Sequence, residues 1–305
     1  MSARPTYPLD QSPLFRLPSK RRAAEVLGID LHQIEQLVGE RNYRVFVNAK
    51  GRTIQHPVGE LAGVHKRIAS LLGRLDVPSY VRSVKGESYV SNAGSHVGNG
   101  PLIKTDIAQF YPGTNFSAVY GFFRRDMGCA PDVAHLLARL CCFRQRHLPT
   151  GSYLSGPLAF FAHRAMFDQI YCLAQDRGCV MTCYVDDIVI SGPGASKELL
   201  YRVRGLIRAA GRTSKDDKSK TFPAHKPKTV TGVIVTSDAL RLPNSRHKQI
   251  HEARAAIRAA GGDGEQMSLR ASLRGRLQEA GQIANWNVRN PGGGVLVRGV
   301  VPDVS

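Results

Sequence analysis

Acidic residues are scarce in this chain of 305 residues: 24 Asp and Glu stand against 42 Lys and Arg, leaving a formal charge of +18 at pH 7. With a pI near 10.0, that shortage points to a polyanionic partner. Long apolar runs are missing as well. No stretch approaches the roughly 18 residues that cross a bilayer, which excludes a membrane-spanning helix. Met1 to Asp10 offers prolines and polar residues where a signal peptide needs an apolar segment. Cysteine is sparse, and none of Cys129, Cys141, Cys142, Cys172, Cys179 and Cys183 forms a CxxC pair. Cys179 and Cys183 lie four apart in what reads as a strand. At about 3.3 Å per residue they stand roughly 13 Å apart, too far for a disulfide or a shared zinc ion. Reduced core thiols of a cytosolic protein are the expectation. There is no internal repeat of 20–50 residues. What is present is apolar content of 42%, which excludes disorder. The length suits about two domains and needs no disulfide or structural metal to complete a core.

Apolar spacing predicts helices over Lys20 to Gly39, Val58 to Leu75, Pro131 to Phe143, Tyr153 to Arg177, Ser196 to Ala210, Arg246 to Ala260 and Met267 to Asn287. Strands are expected at Tyr43 to Val47 and Thr53 to His56, with Lys50-Gly51-Arg52 as a basic, exposed tip between them. Others are expected at Leu102 to Thr105, Cys179 to Val185, Ile188 to Ser191, Thr229 to Thr236 and Leu240 to Leu242. Strands that pair as hairpins among helices imply an α+β fold. A shift to Ala, Arg and Gln after Pro243 sets a boundary near residue 240.

Asp186 and Asp187 are adjacent between two apolar runs, in Tyr184-Val185-Asp186-Asp187. A solvated turn needs only one such residue, and two uncompensated anions repel. A third acid, Asp106, ends another short strand in Lys104-Thr105-Asp106-Ile107-Ala108-Gln109-Phe110-Tyr111. Three carboxylates at a sheet edge can hold two Mg²⁺ ions about 3.5–4 Å apart for in-line phosphoryl transfer. All-oxygen ligands without a His/Cys cluster favour magnesium over zinc.

These motifs, in this order, resemble the reverse transcriptases. The resemblance implies a right-hand polymerase: an N-terminal arm and helix at 1–40, fingers and palm at 41–240, and a helical thumb with C-terminal tail at 241–305. It implies two Mg²⁺ ions at Asp106, Ile107, Asp186 and Asp187. Tyr111 becomes the steric gate that selects deoxynucleotides, with Phe110 in the core. Leu148-Pro149-Thr150-Gly151-Ser152-Tyr153-Leu154-Ser155-Gly156-Pro157 is similar to the family's Pro-Gln-Gly-x-x-x-Ser-Pro, with Thr150 for glutamine and Gly156 before Pro157. Thr150 and Gly151 would then lie at the nucleotide, and Lys50 and Arg52 would hold its triphosphate. Lys218 would protonate departing pyrophosphate, with Lys215 and Lys220 as competitors.

Two shorter elements narrow the branch. Asn92-Ala93-Gly94-Ser95-His96 fits the Asn-Ala-x-x-His element of retron reverse transcriptases, and Val230-Thr231-Gly232 fits their Val-Thr-Gly. The resemblance covers residues 40 to 290. It implies a cognate structured noncoding RNA as partner, dNTPs as substrates, and priming from an RNA 2′-hydroxyl. The product is a branched RNA–DNA hybrid, in antiphage defence with an effector protein encoded nearby. No membrane, RNase H segment or effector segment is expected.

Nine basic residues between Tyr201 and Lys228 (Arg202, Arg204, Arg208, Arg212, Lys215, Lys218, Lys220, Lys226, Lys228) suit a nucleic-acid track. Arg254 with Arg258 and Arg270 with Arg274 form i,i+4 stripes for phosphate contacts, while Leu269, Leu273 and Leu277 are expected to face a core. The alternatives are another defence-associated or diversity-generating reverse transcriptase, or an idle RNA-binding scaffold. The scaffold predicts loss of an acid, and all three are present.

Overall fold

A computed structural model of the chain describes residues 5–260 and 263–293. Residues 1–4 of the expected arm and 294–305 of the tail lie outside the described residues. In chain order the elements are α1 (Lys20–Leu27), α2 (Ile34–Leu37), β1 (Tyr43–Val47), β2 (Thr53–Pro57), α3 (Gly59–Leu72), α4 (Tyr89–Gly94), β3 (Leu102–Asp106), α5 (Phe116–Gly121) and α6 (Pro131–Cys141). They continue with α7 (Ser155–Ala162), α8 (Arg164–Gln175), β4 (Val180–Tyr184), β5 (Asp187–Ser191), α9 (Lys197–Ala209), β6 (Lys220–Phe222), β7 (Lys228–Val230), β8 (Val233–Val235), β9 (Leu240–Arg241), α10 (Asn244–Ala259) and α11 (Asp263–Arg289). Antiparallel sheets among helices are the α+β class expected. The chain divides into two compact units. One comprises Met1–Ser79, Ile107–Ile170 and Gly205–Lys215; the other comprises Tyr80–Asp106, Tyr171–Arg204 and Asp216–Ser305.

In the first unit, β1 and β2 pair with Val47 opposite Thr53. Asn48 to Arg52 form the tip, where Asn48 Oδ1 accepts from the amides of Lys50 and Arg52. Both basic side chains are exposed. Two expected helices are each broken. Gly28 closes α1 at φ 71° with its amide bonded back to Ala24 and Glu25, and Asp30 caps the turn that restarts the chain. The run from Tyr153 to Arg177 is α7 and α8, separated at His163 (φ −118°, ψ 14°). Leu158, Phe161, Phe167 and Ile170 are buried on both sides of that break, so the apolar spacing carries across it unseen.

The second unit holds an antiparallel sheet in the order β4-β5-β3-β6 and a second sheet, β7-β8-β9. The expected single strand from Thr229 to Thr236 is a hairpin. Val230 pairs with Val233, and the loop residues Thr231 (φ 44°) and Gly232 (φ 84°) both lie in the left-handed region. That is type I′ geometry, whose twist matches paired strands. Val90 and Ala93 of α4, Leu102, Val189, Val230, Val233, Val235, Leu240 and Ile283 of α11 form the core, with Trp286 packed against it. A Cβ on Gly94 would run into the Trp286 ring. Gly94→Ala should therefore lower stability by about 1–3 kcal/mol through overpacking. The urea midpoint reads this, and an unchanged midpoint would contradict the packing.

Two expectations fail at the helical end and among the thiols. Leu269 and Leu273 are half-buried and Leu277 is 40% exposed. The core contact of α11 runs instead through Ile283 and Trp286, further along the helix. All six cysteines are free, as expected, but Cys172 is exposed while the other five are buried.

Two buried histidines, His65 and His96, and the half-buried His163 fasten loops to elements. His65 Nε2 donates to Leu140 O (2.8 Å), and its Nδ1 meets Ser152 Oγ (2.7 Å). His163 Nε2 meets Thr114 Oγ1 (3.2 Å). In the second unit His96 bridges Ser191 Oγ and Thr182 Oγ1, both at 2.7 Å. Burial pushes His65 and His163 down to about 4 and His96 to about 3. The unfolded chain takes up these protons near pH 6.5, whereas the folded chain refuses them until pH 4 to 3. Stability from the three is whole above pH 6.5 and falls as pH drops below it, with a limiting slope of about 4 kcal/mol per pH unit. Asp187, raised to about 6, works in the opposite sense below pH 6 and offsets one proton of the three. The expected result is a urea midpoint that declines from pH 7 to pH 4.5; a flat profile would contradict it.

Candidate active site

β3 and β5 run antiparallel with Asp106 opposite Asp187. β4 and β5 close with Tyr184 opposite Asp187, so Val185 and Asp186 are the two-residue loop. The acids are therefore not both in the turn: Asp187 is the first residue of β5. Val185 sits at φ 62°, where glycine is the usual occupant of such a turn. A β-branched residue there costs about 1–3 kcal/mol, and strain of this kind clusters at working sites.

All three carboxylates are half-buried, while Ile188, Val189 and Ile190 behind them are buried. Burial is the chief cause that raises the Asp187 carboxyl to about 6; Lys104 and Lys218 oppose it, and Asp106 and Asp186 add to it. Lys104 is a site residue that the motifs do not reveal. It lies two residues before Asp106 and so shares its face of β3. Its Nζ donates to Thr229 O at 2.9 Å, and burial pushes its own pKa down against the pull of Asp187. The i,i+2 spacing in Lys104-Thr105-Asp106 was the available signal.

Of the three lysines weighed as a proton donor, Lys218 and Lys220 belong to the carboxylates' unit and Lys215 to the other. Lys218 bears on Asp187. Lys220 stands opposite Lys104 on β6, and Thr105 Oγ1 lies 2.8 Å from Ser219 Oγ, tying this loop to β3.

The first unit gathers the other motif residues. Ile107 is fully buried and Phe110 is core, against Phe167 and His163. Tyr111 is half-buried in the turn that follows. Arg212, 7% exposed, binds that turn from inside. Its guanidinium donates to Gly113 O and, at 3.2 Å each, to Gln109 O and Phe110 O. Gln55 on β2 clamps Thr150: Gln55 Oε1 accepts from Thr150 N, and Gln55 N donates to Thr150 O, both at 2.7 Å. Gly151 has φ +116°, and a Cβ there would come 2.7 Å from Ile54 Cγ2, so the position demands glycine. Thr150 and Gly151 are thus fixed to the hairpin that carries Lys50 and Arg52.

The two short elements meet within the second unit. Thr231 Oγ1 donates to Tyr89 O at 2.8 Å, Asn92 and His96 are buried, and Val230 and Ala93 share one core. Arg254, Arg258, Arg270 and Arg274 are exposed on α10 and α11. Not all of the nine basic residues face solvent. Arg212 and Lys228 are 7% and 2% exposed, and Arg204 pairs with Asp216.

Among the described residues, no three His, Cys, Asp or Glu side chains close into a cage able to hold a metal by themselves. Magnesium seldom has such a cage. It is ordinarily held by one or two carboxylates, completed by water and substrate phosphates. The donor chemistry suits it: Asp106, Asp186 and Asp187 are half-buried carboxylates whose mutual repulsion a divalent cation would relieve. Among the described residues no helix is long and apolar enough to cross a membrane.

No protein-family model matches the sequence. The chain is similar to the retron Ec86 reverse transcriptase of Escherichia coli, 25% identical over 218 residues, 68% of this chain and 68% of that one. It is 28% identical to the retron Se72 reverse transcriptase of Salmonella heidelberg over 246 residues, 74% of this chain and 64% of that one. It is 26% identical to the retron Mx162 reverse transcriptase of Myxococcus xanthus over 239 residues, 68% and 49% of the two chains. The aligned part thus spans 49% to 68% of these relatives' own length. Among solved structures, telomerase from Candida albicans with a fragment of telomeric RNA superimposes at TM-score 0.48 and 11% identity, over 81% of this chain and 56% of that one.

Proposed function

We propose that this chain, which is homologous to the retron reverse transcriptases, is an RNA-directed DNA polymerase that copies a cognate structured noncoding RNA. The observation that carries the reading is the direct register of Asp106 with Asp187, with Asp186 on the adjoining loop. Two Mg²⁺ ions held by Asp106, Asp186, Asp187 and the backbone oxygen of Ile107 would supply activation of the attacking hydroxyl and neutralisation of the leaving pyrophosphate. Lys104 keeps the carboxylate cluster ionised, and Lys218 gives a proton to the departing pyrophosphate. Lys50 and Arg52 hold the triphosphate. Tyr111 excludes a 2′-hydroxyl, and the Thr150-Gly151 backbone supports the nucleotide. In this reading residues 41–240 act as fingers and palm, and 241–305 as a thumb.

The similarity to retron enzymes and the joined Asn92–His96 and Val230–Gly232 elements support the finer reading. Synthesis starts from an RNA 2′-hydroxyl and yields a branched RNA–DNA hybrid, multicopy single-stranded DNA, which works with an effector protein in antiphage defence. The test is the nucleic acid that copurifies with the protein expressed from its native locus. A DNA band that shifts on debranching, and that is lost from Asp186→Ala, Asp187→Ala protein, is the expected result. Unbranched DNA would reject the primer and move weight to other defence-associated or diversity-generating enzymes. RNA without DNA, even with dNTPs and Mg²⁺ supplied, would reject the polymerase.

A further inference from the structure

The second unit contains a cleft that the polymerase reading does not use. It encloses about 400 Å³ and is walled by the Gly98–Asn99 loop, the segment from His225 to Lys228, and the β8–β9 turn with Arg241. Two backbone bonds join these walls: His225 N donates to Asn99 O at 3.0 Å, and Gly98 N to Thr236 O at 3.1 Å. Gly98 and Asn99 precede β3, whereas Asp106 ends it. The length of β3 alone, roughly 13 Å at about 3.3 Å per residue, separates the cleft from the carboxylates.

Lys228 is the unusual member. It is 2% exposed, and its ammonium spends one donor, on Gly98 O at 2.7 Å. Among the described residues no carboxylate pairs with it. An ammonium has three donors, and a buried charge without a counterion is costly. Burial accordingly pushes its pKa down. Lys226 and Arg241 are exposed at the rim. The one acid present, Asp238, accepts from Thr236 Oγ1 and Ser237 Oγ and also feels the charge of Arg241. Three cations against one anion leave a net charge of +2 around a concavity large enough for one nucleotide.

We infer that this cleft binds the phosphate of a single nucleotide, with Lys228 at its floor and Lys226 and Arg241 at its rim. The phosphate belongs either to a free nucleotide or to a residue of an RNA strand; the chemistry of recognition is the same.

The test uses the full chain without divalent cations and three probes: AMP, adenosine, and a 12-nucleotide RNA lacking terminal phosphates. Lys226→Gln with Arg241→Gln alters only exposed side chains, so the variant folds; Lys228→Met is the second variant. Saturable AMP binding that adenosine cannot mimic, weakened at least about tenfold in both variants, establishes a free-nucleotide site. No AMP binding, but RNA binding whose log–log salt slope falls by about 1.4 in the rim variant, establishes a strand phosphate. If neither AMP nor RNA affinity changes in either variant, the inference is overturned. Primer extension by the parent chain, with Mg²⁺ and dNTPs supplied, is read separately from these binding assays, so failure of the cleft and failure of the polymerase reading are separately visible.

Discussion

Asp187→Asn should abolish DNA synthesis, by at least about 100-fold, yet yield a protein more stable than the parent when both are measured without divalent cations. The two halves of that expectation have one cause. Asp187 stands opposite Asp106 beside Asp186, and burial with their repulsion raises its carboxyl to about 6. At neutral pH the folded state bears the cost of ionising it, and the amide removes that cost. The gain is on the order of 1–3 kcal/mol. The same substitution removes a ligand from the proposed Mg²⁺ site. RNA affinity stays near wild type, because contacts to the RNA backbone come from cationic and polar groups elsewhere. An inactive enzyme with a raised melting temperature and intact RNA binding cannot be dismissed as misfolded. Full activity in the variant would remove the carboxylates from the mechanism, and a lowered melting temperature would show that their repulsion is misread.

Arg212→Met should cost the fold about 3 kcal/mol or more and loosen the turn that carries Tyr111. The guanidinium reaches several carbonyls between Ala108 and Gly113 from a buried position. Removing it leaves buried acceptors without donors, at about 1–3 kcal/mol each. Arg212→Lys should not rescue, because one ammonium cannot span the carbonyls that a planar fork reaches. Gly113→Ala should fail in the same way, since its Cβ would strike the guanidinium. In the proposed function, Tyr111 sets the sugar choice. Variants that survive folding should then incorporate ribonucleotides more readily relative to deoxynucleotides. Unaltered melting together with unaltered sugar discrimination would deny Arg212 this positioning role.

What could be read from residue order differs from what could not by the range of the physics involved. The α+β class and the three acids were legible because strand alternation and acids at strand ends are local patterns. The placement of the turn was off by one residue. Asp186-Asp187 looks like the loop, but the paired loop is Val185-Asp186, and only cross-strand hydrogen bonding fixes that register. The hairpin inside Thr229–Thr236 was hidden because Val and Ile continue on both sides of Thr231-Gly232. The break at His163 was hidden because buried apolar residues flank it on both sides. Arg212 and Lys228 read, from their spacing, as part of a basic nucleic-acid track. Their burial depends on carbonyls about 100 and 130 residues away in sequence, which no local pattern encodes. Lys104 could have been found from its spacing to Asp106.

The most direct test of the central claim is primer extension by the purified full chain on an RNA template, with dNTPs and Mg²⁺. The account predicts template-directed DNA product from the parent, suppression by chelation of Mg²⁺, and none from Asp187→Asn. Product of equal yield from parent and variant, or no product from a parent that binds its RNA, would contradict it.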